Sequence, residues 1–120
     1  MMWPPPSAGA GRETDPHAQV RRQLILLIRQ RRREVRFTLE RPHDVRFAEV
    51  LHPESGWPLV ENAAWLVIVD LLEAGVPLEP VVLTKPPEAT GWVLKTTLRG
   101  PLYVKMEIYR DKVYLRSFHP

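Results

Sequence analysis

The last thirty residues hold most of the side chains that could do chemistry. Lys95, Lys105 and Arg116 are the cations, and Tyr103, Glu107, Tyr114 and His119 are groups able to give or take a proton. Three runs, 92–98, 102–109 and 112–118, each alternate apolar with polar residues, and short turn candidates at 99–101 and 110–111 separate them. This pattern predicts an antiparallel three-stranded meander. A two-residue loop at 110–111 pairs Ile108 with Val113, Met106 with Leu115 and Val104 with Ser117. A three-residue loop at 99–101 pairs Trp92 with Ile108, Leu94 with Met106 and Thr96 with Val104. One face is then apolar, and the other carries Lys95, Lys105 and Arg116 in a single row. Like charges directly opposed on a sheet cost about 0.2–1 kcal/mol per pair, a penalty that a bound anion would reverse. Lys, Arg, Tyr and Glu on one sheet face have the chemistry of phosphate binding, base stacking and metal-free proton transfer. The plainer alternative is a solvated face whose lysines block edge aggregation and whose Glu107 neutralises Lys105.

The elements that must position this meander are legible upstream. Residues 17–33 contain no Gly or Pro, and Val20, Leu24, Leu27 and Ile28 recur at helical spacing, with Arg21, Arg22, Arg29, Arg32 and Arg33 on the other face. Residues 34–39 alternate as a half-buried strand does, and a short strand is expected within 45–51. A second helix, apolar nearly all round, is expected over 59–74, with Gly75 and Pro77 as its stop signals. It is either deep core or covered by a partner. Residues 1–16 form an expected flexible proline-rich tail, lacking the apolar content to offset ordering entropy, and 17–120 a single domain. Prolines 42, 53, 58, 77, 80, 86 and 87 cut the middle of the chain into short pieces.

Charge and composition narrow the class. The 120 residues are 44% hydrophobic and 26% charged, which suits one globular domain and leaves no room for a dinucleotide-binding or barrel enzyme. The absence of cysteine removes disulfides, thiolate nucleophiles and cysteine zinc sites. The longest apolar run, 63–69, falls far short of the roughly 20 residues of a membrane span, so the expectation is a soluble cytoplasmic protein with no membrane partner. Net charge is +3, arranged as basic ends around an acidic middle, a distribution suited to a polyanion or an acidic partner. His43, Asp44, Glu49, His52 and Glu54 match no metal-ligand spacing and read as a solvated loop, so no metal or cofactor is expected. The run Gln30 to Arg36, with arginines at 31, 32, 33 and 36, fits either a phosphate-backbone contact or the exposed end of a helix.

The segment Leu102-Tyr103-Val104-Lys105, followed by a turn and a strand ending in Ser117-Phe118-His119, resembles the closing hairpin of MqsR-like toxins, in the RelE-type superfamily of bacterial endoribonucleases. The basic helix followed by a strand ending in Phe37-Thr38 is similar too, and Trp92 and Lys85 fall in comparable places. The close likeness covers about 20 residues and the loose one about 60. The chain departs from the family pattern in residues 40–60, in Pro77 and Pro80 within the region of the second helix, and in having no glutamine after Trp92. The resemblance implies an α+β fold of the RelE kind, with two helices on one face of a small antiparallel sheet. It also implies a metal-free ribonuclease site on the other face and an antitoxin protein as partner. Carried over, Tyr103 is the hairpin tyrosine, Lys85 the upstream lysine and His119 the terminal basic position. Cleavage of RNA without a metal needs a base for the ribose 2′-hydroxyl, an acid for the departing 5′-oxygen and cations for the phosphorane. His119, Glu107 and Tyr103 are candidates for the first two roles, and Lys85, Lys95, Lys105, Arg116 and Arg36 for phosphate contact. The competing classes are a non-catalytic module gripping RNA or an acidic protein, and a structural interaction protein with no anion site.

Overall fold

A computed structural model of the chain describes residues 15–36, 44–83 and 89–120. The proline-rich tail up to residue 14, the Phe37-Thr38 end of the expected first strand, His43 and Lys85 lie outside the described residues. Among the described residues, helix α1 (Ala18–Arg29) buries Leu24, Leu27 and Ile28, the stripe expected from their spacing. Helix α2 (Glu61–Glu73) buries seven of its thirteen side chains, Trp65, Ile68, Leu71 and Leu72 completely, and is therefore core. Both helices end in a Schellman motif. In α2 the N–H of Gly75 reaches the carbonyl of Leu72 and that of Val76 reaches Leu71, whereas in α1 the equivalent bonds run from Arg31 to Ile28 and from Arg32 to Leu27. Arg21 ties the helices together, its Nη1 donating to the Leu72 carbonyl at 2.8 Å and its Nε to Asp15 at 2.7 Å. No helix among the described residues is long and apolar enough to cross a membrane.

Five strands make one mixed sheet: β1 (Arg33–Val35), β2 (Glu79–Val82), β3 (Thr90–Thr97), β4 (Pro101–Tyr109) and β5 (Lys112–His119), in the order β1-β5-β4-β3-β2. Both helices share one core with the inner faces of β3, β4 and β5, through Leu94, Leu102, Val104, Met106, Val113, Leu115 and Phe118. The α+β class and the meander agree with expectation, but the sheet is not purely antiparallel. Strand β1 pairs in parallel with β5, a pairing its long connection permits. Strand β2 contains Pro80, which a central strand would not tolerate; at the sheet edge its missing N–H faces no partner strand. Residues 45–51 do not form the expected strand. Val45 makes a single parallel bridge to Phe118, and the chain then turns through a 3-10 segment at Phe47–Glu49.

Two details of register overturn the expected pairing. The β3–β4 loop is 98–100, closed by the Leu98 N–H on the Gly100 carbonyl at 2.9 Å, so Thr97 faces Pro101 and Leu94 faces Val104 instead of Met106. This slip of two residues preserves the faces, because side chains alternate with period two. In β5 a β-bulge sets both Arg116 and Ser117 against Lys105, so that Val104 faces Phe118 and not Ser117. The bulge has a plain cause: regular alternation would put Ser117 in the core and Phe118 outside, and burying a phenylalanine is worth about 1.5–3 kcal/mol. Phe118 is fully buried as a result.

Asp70, near the end of α2, has its pKa raised above the usual 3.8, first by partial desolvation and then by the negative charges of Glu73 and Glu54. A carboxyl with a raised folded-state pKa opposes folding where it is ionised, and that penalty disappears as pH falls below the unfolded value. An Asp70→Asn variant should therefore melt at a higher temperature than the parent at neutral pH and at the same temperature near pH 3, in paired thermal melts.

Candidate functional site

Those side chains singled out from the sequence that lie among the described residues are on the sheet face turned away from the helices, in an arrangement that differs from the expected single row. Lys95 faces Tyr103 across the β3–β4 ladder, and Tyr103 faces His119 across the β4–β5 ladder. Lys105 lies one step further along, opposite Val93 on one side and the Arg116/Ser117 bulge on the other. Lys95 therefore stands apart from Lys105 and Arg116, and the three cations do not form the expected single row.

In its place stands a row of ammonium, phenol and imidazole. The Tyr103 and His119 rings stack with centroids 5.2 Å apart and planes 19° from parallel. The Nδ1 of His119 donates to the Pro120 backbone oxygen at 2.9 Å, since that oxygen can only accept, and Nε2 is the ring nitrogen left for other partners. Lys95 is exposed, with Nζ 3.8 Å from Glu79, a surface pair of small energetic weight. A shallow cavity of about 110 Å³ opens at this end of the sheet, lined in part by Arg99, Pro101 and Pro120.

A second cluster lies toward the other end of the face. Glu107 is 1% exposed, and its Oε1 accepts from Arg116 at 2.8 Å and from Arg36 at 3.1 Å. The Arg36 guanidinium lies 4.0 Å from the centroid of the Tyr114 ring, and Lys112 pairs with Glu34 at 3.3 Å. Glu107 is four residues from Tyr103 along β4, or roughly 13 Å at strand spacing, so the two clusters are separate. The face is not bare between them and the β2 edge. Gly91 lets Leu83 fold over it, since a Cβ at residue 91 would meet the Leu83 side chain at 2.8 Å, and both Leu83 and Val93 are buried.

Of the eight residues picked out from the sequence, the fold thus brings Lys95, Tyr103 and His119 into one row and Arg36, Glu107 and Arg116 into one ion-pair cluster, with Lys105 between them. Lys85 lies outside the described residues. The Glu107–Arg36 pairing and the bulge went unread in the sequence, although Phe118 breaking the alternation of β5 is the signal that marks the bulge. His52, once considered beside possible metal ligands, uses Nδ1 to accept the backbone N–H groups of Glu54 and Ser55 and so shapes its own loop. Set beside known proteins, the chain matches no family model, no curated protein and no solved structure.

Proposed function

We propose that the protein is a metal-independent endoribonuclease of the MqsR-like, RelE-type kind, a cytoplasmic toxin acting on mRNA and held inactive by an antitoxin protein. The observation that carries this reading is the Lys95–Tyr103–His119 row, with its two rings stacked at 5.2 Å. In this reading Nε2 of His119 removes the proton of a ribose 2′-hydroxyl, and O2′ attacks the adjacent phosphorus. The bond from phosphorus to O5′ breaks, leaving a 2′,3′-cyclic phosphate, and the Tyr103 hydroxyl gives its proton to the departing oxygen. Lys95 and Lys105 carry the charge that builds on the phosphorane. Glu107, sealed between two arginines, acts by holding Arg36 and Arg116 in place for the RNA backbone and not as a proton donor.

A fluorogenic single-stranded RNA incubated with the protein and EDTA tests the proposal. The parent should cleave, and both His119→Ala and Tyr103→Phe should lower the rate about a hundredfold, the usual weight of one acid or base, while RNA affinity stays within about twofold. Binding without cleavage by the parent would sink the catalytic reading. It would leave the alternative, a non-catalytic module gripping RNA or an acidic protein, which draws support from the carboxylates of Glu107, Glu34 and Glu79 already paired with cations on this face.

A further inference from the structure

Among the described residues, two arginines, Arg31 and Arg110, occupy backbone conformations that disfavour them. Arg31 (φ 61°) fills the left-handed closing position of α1, the position that Gly75 (φ 83°) fills in α2, so one molecule shows the same motif with and without the residue suited to it. Arg110 (φ 50°) and Asp111 (φ 58°) form the two-residue turn between β4 and β5, a type I′ turn whose first position favours asparagine or glycine. Aspartate tolerates the left-handed region; arginine gains nothing local from it.

The fold brings these two turns together. The Val113 N–H donates to the Arg32 carbonyl at 2.9 Å, and the parallel register of Arg33 with Val113 sets Arg31 and Arg32 alongside the 110–111 turn. Arg31, Arg32 and Arg110 are all exposed, and none of them has an ion-pair partner among the described residues. Their neighbours in the sequence are committed elsewhere: Arg33 to the Ile28 carbonyl and the Trp65 ring, Arg36 to Glu107, and Lys112 to Glu34. What remains is three arginines against the carboxylate of Asp111. The one large apolar side chain at the corner, Tyr109, has the Arg110 guanidinium 5.1 Å from its ring centroid, so the corner lacks the apolar centre that protein interfaces use.

We propose that Arg31, Arg32 and Arg110 form a contact surface for the sugar–phosphate backbone of RNA, six residues of strand away from the Tyr103–His119 row. Strained positions held by a particular side chain point to a role for that side chain, and guanidinium groups suit phosphate oxygens. This surface requires no cleavage and stands apart from the catalytic reading.

The test is an Arg31→Gly, Arg110→Gly double variant in the full chain, measured for melting temperature and for binding a short fluorescein-labelled RNA duplex across a salt series. An Arg22→Gln variant, altering an exposed arginine on α1, is the charge control. The double variant should melt higher by roughly 5 °C or more, bind RNA about tenfold more weakly at low salt, and show a salt slope shallower by about 2. An unchanged slope, an equal loss in Arg22→Gln, or a melting temperature that does not rise would each overturn the proposal. Equally tight binding of polyglutamate by the parent, lost in the double variant, would also overturn it by assigning the surface to an acidic protein.

Discussion

Glu107→Ala is expected to cost about 3 kcal/mol of folding stability, more than any other change on the outer sheet face. The carboxylate is almost completely buried, and its Oε1 alone receives both Arg116 and Arg36. Removing it leaves the Arg116 guanidinium, whose side chain is only 10% exposed, without its anion and beside a second cation. The loss falls at the lower end of the 3–5 kcal/mol typical of breaking a buried pair, because Arg36, with 35% of its side chain exposed, can turn toward water. Glu107→Gln keeps an acceptor at the same place and should cost less than half as much. Adding Arg116→Met to Glu107→Met removes both charges, and the double variant should recover much of the loss. Urea denaturation of the four variants checks this; a cost below about 1 kcal/mol for Glu107→Ala would mean that solvent already screens the cluster. The result bears on function as well, since in the proposed reading these arginines reach RNA only from the positions Glu107 gives them.

Trp65→Ala should be costlier still, about 3–5 kcal/mol. Among the described residues Trp65 is the largest of the fully buried side chains, on the helix that contributes more of the core than any other element. Its truncation leaves a cavity that neighbours such as Ile68 and Leu72, already fixed on the same helix, can fill only in part. The indole also sits under the Arg33 guanidinium at 5.6 Å, and its Nε1 donates to Glu61 at 3.4 Å, so polar contacts at its rim vanish too. Trp65→Phe keeps a ring beneath the guanidinium and should lose about half as much. Against a total stability of about 5–15 kcal/mol for a domain of this kind, the alanine variant should unfold at markedly lower urea, and a midpoint within error of the parent would contradict the core described above.

What could be read from the residues alone followed from local periodicity. The amphipathic stripe of α1, the all-round apolar character of α2 and the alternation of β3 to β5 identified their elements and, as far as the bulge at Arg116, told inner from outer side chains, because those repeats depend only on the geometry of a single helix or strand. The two-residue turn at 110–111 likewise set Ile108 against Val113 and Met106 against Leu115.

The partner of each strand at each step was decided by the assembled fold. Whether the β3–β4 loop begins at residue 98 or 99 depends on a hydrogen bond between Leu98 and Gly100 and on where Pro101, lacking an N–H, can enter the sheet. That choice moved Lys95 from Lys105 to Tyr103. The bulge at Arg116 exists because Phe118 finds a core to enter, and β1 pairs with β5 across most of the length of the chain, Arg33 with Val113. Period-two alternation survives a slip of two but is reversed by a single inserted residue, so the side of the sheet was legible in advance only up to the bulge, whereas the faces of Ser117 and Phe118 and the neighbours of His119, Glu107 and Arg110 came from long-range packing.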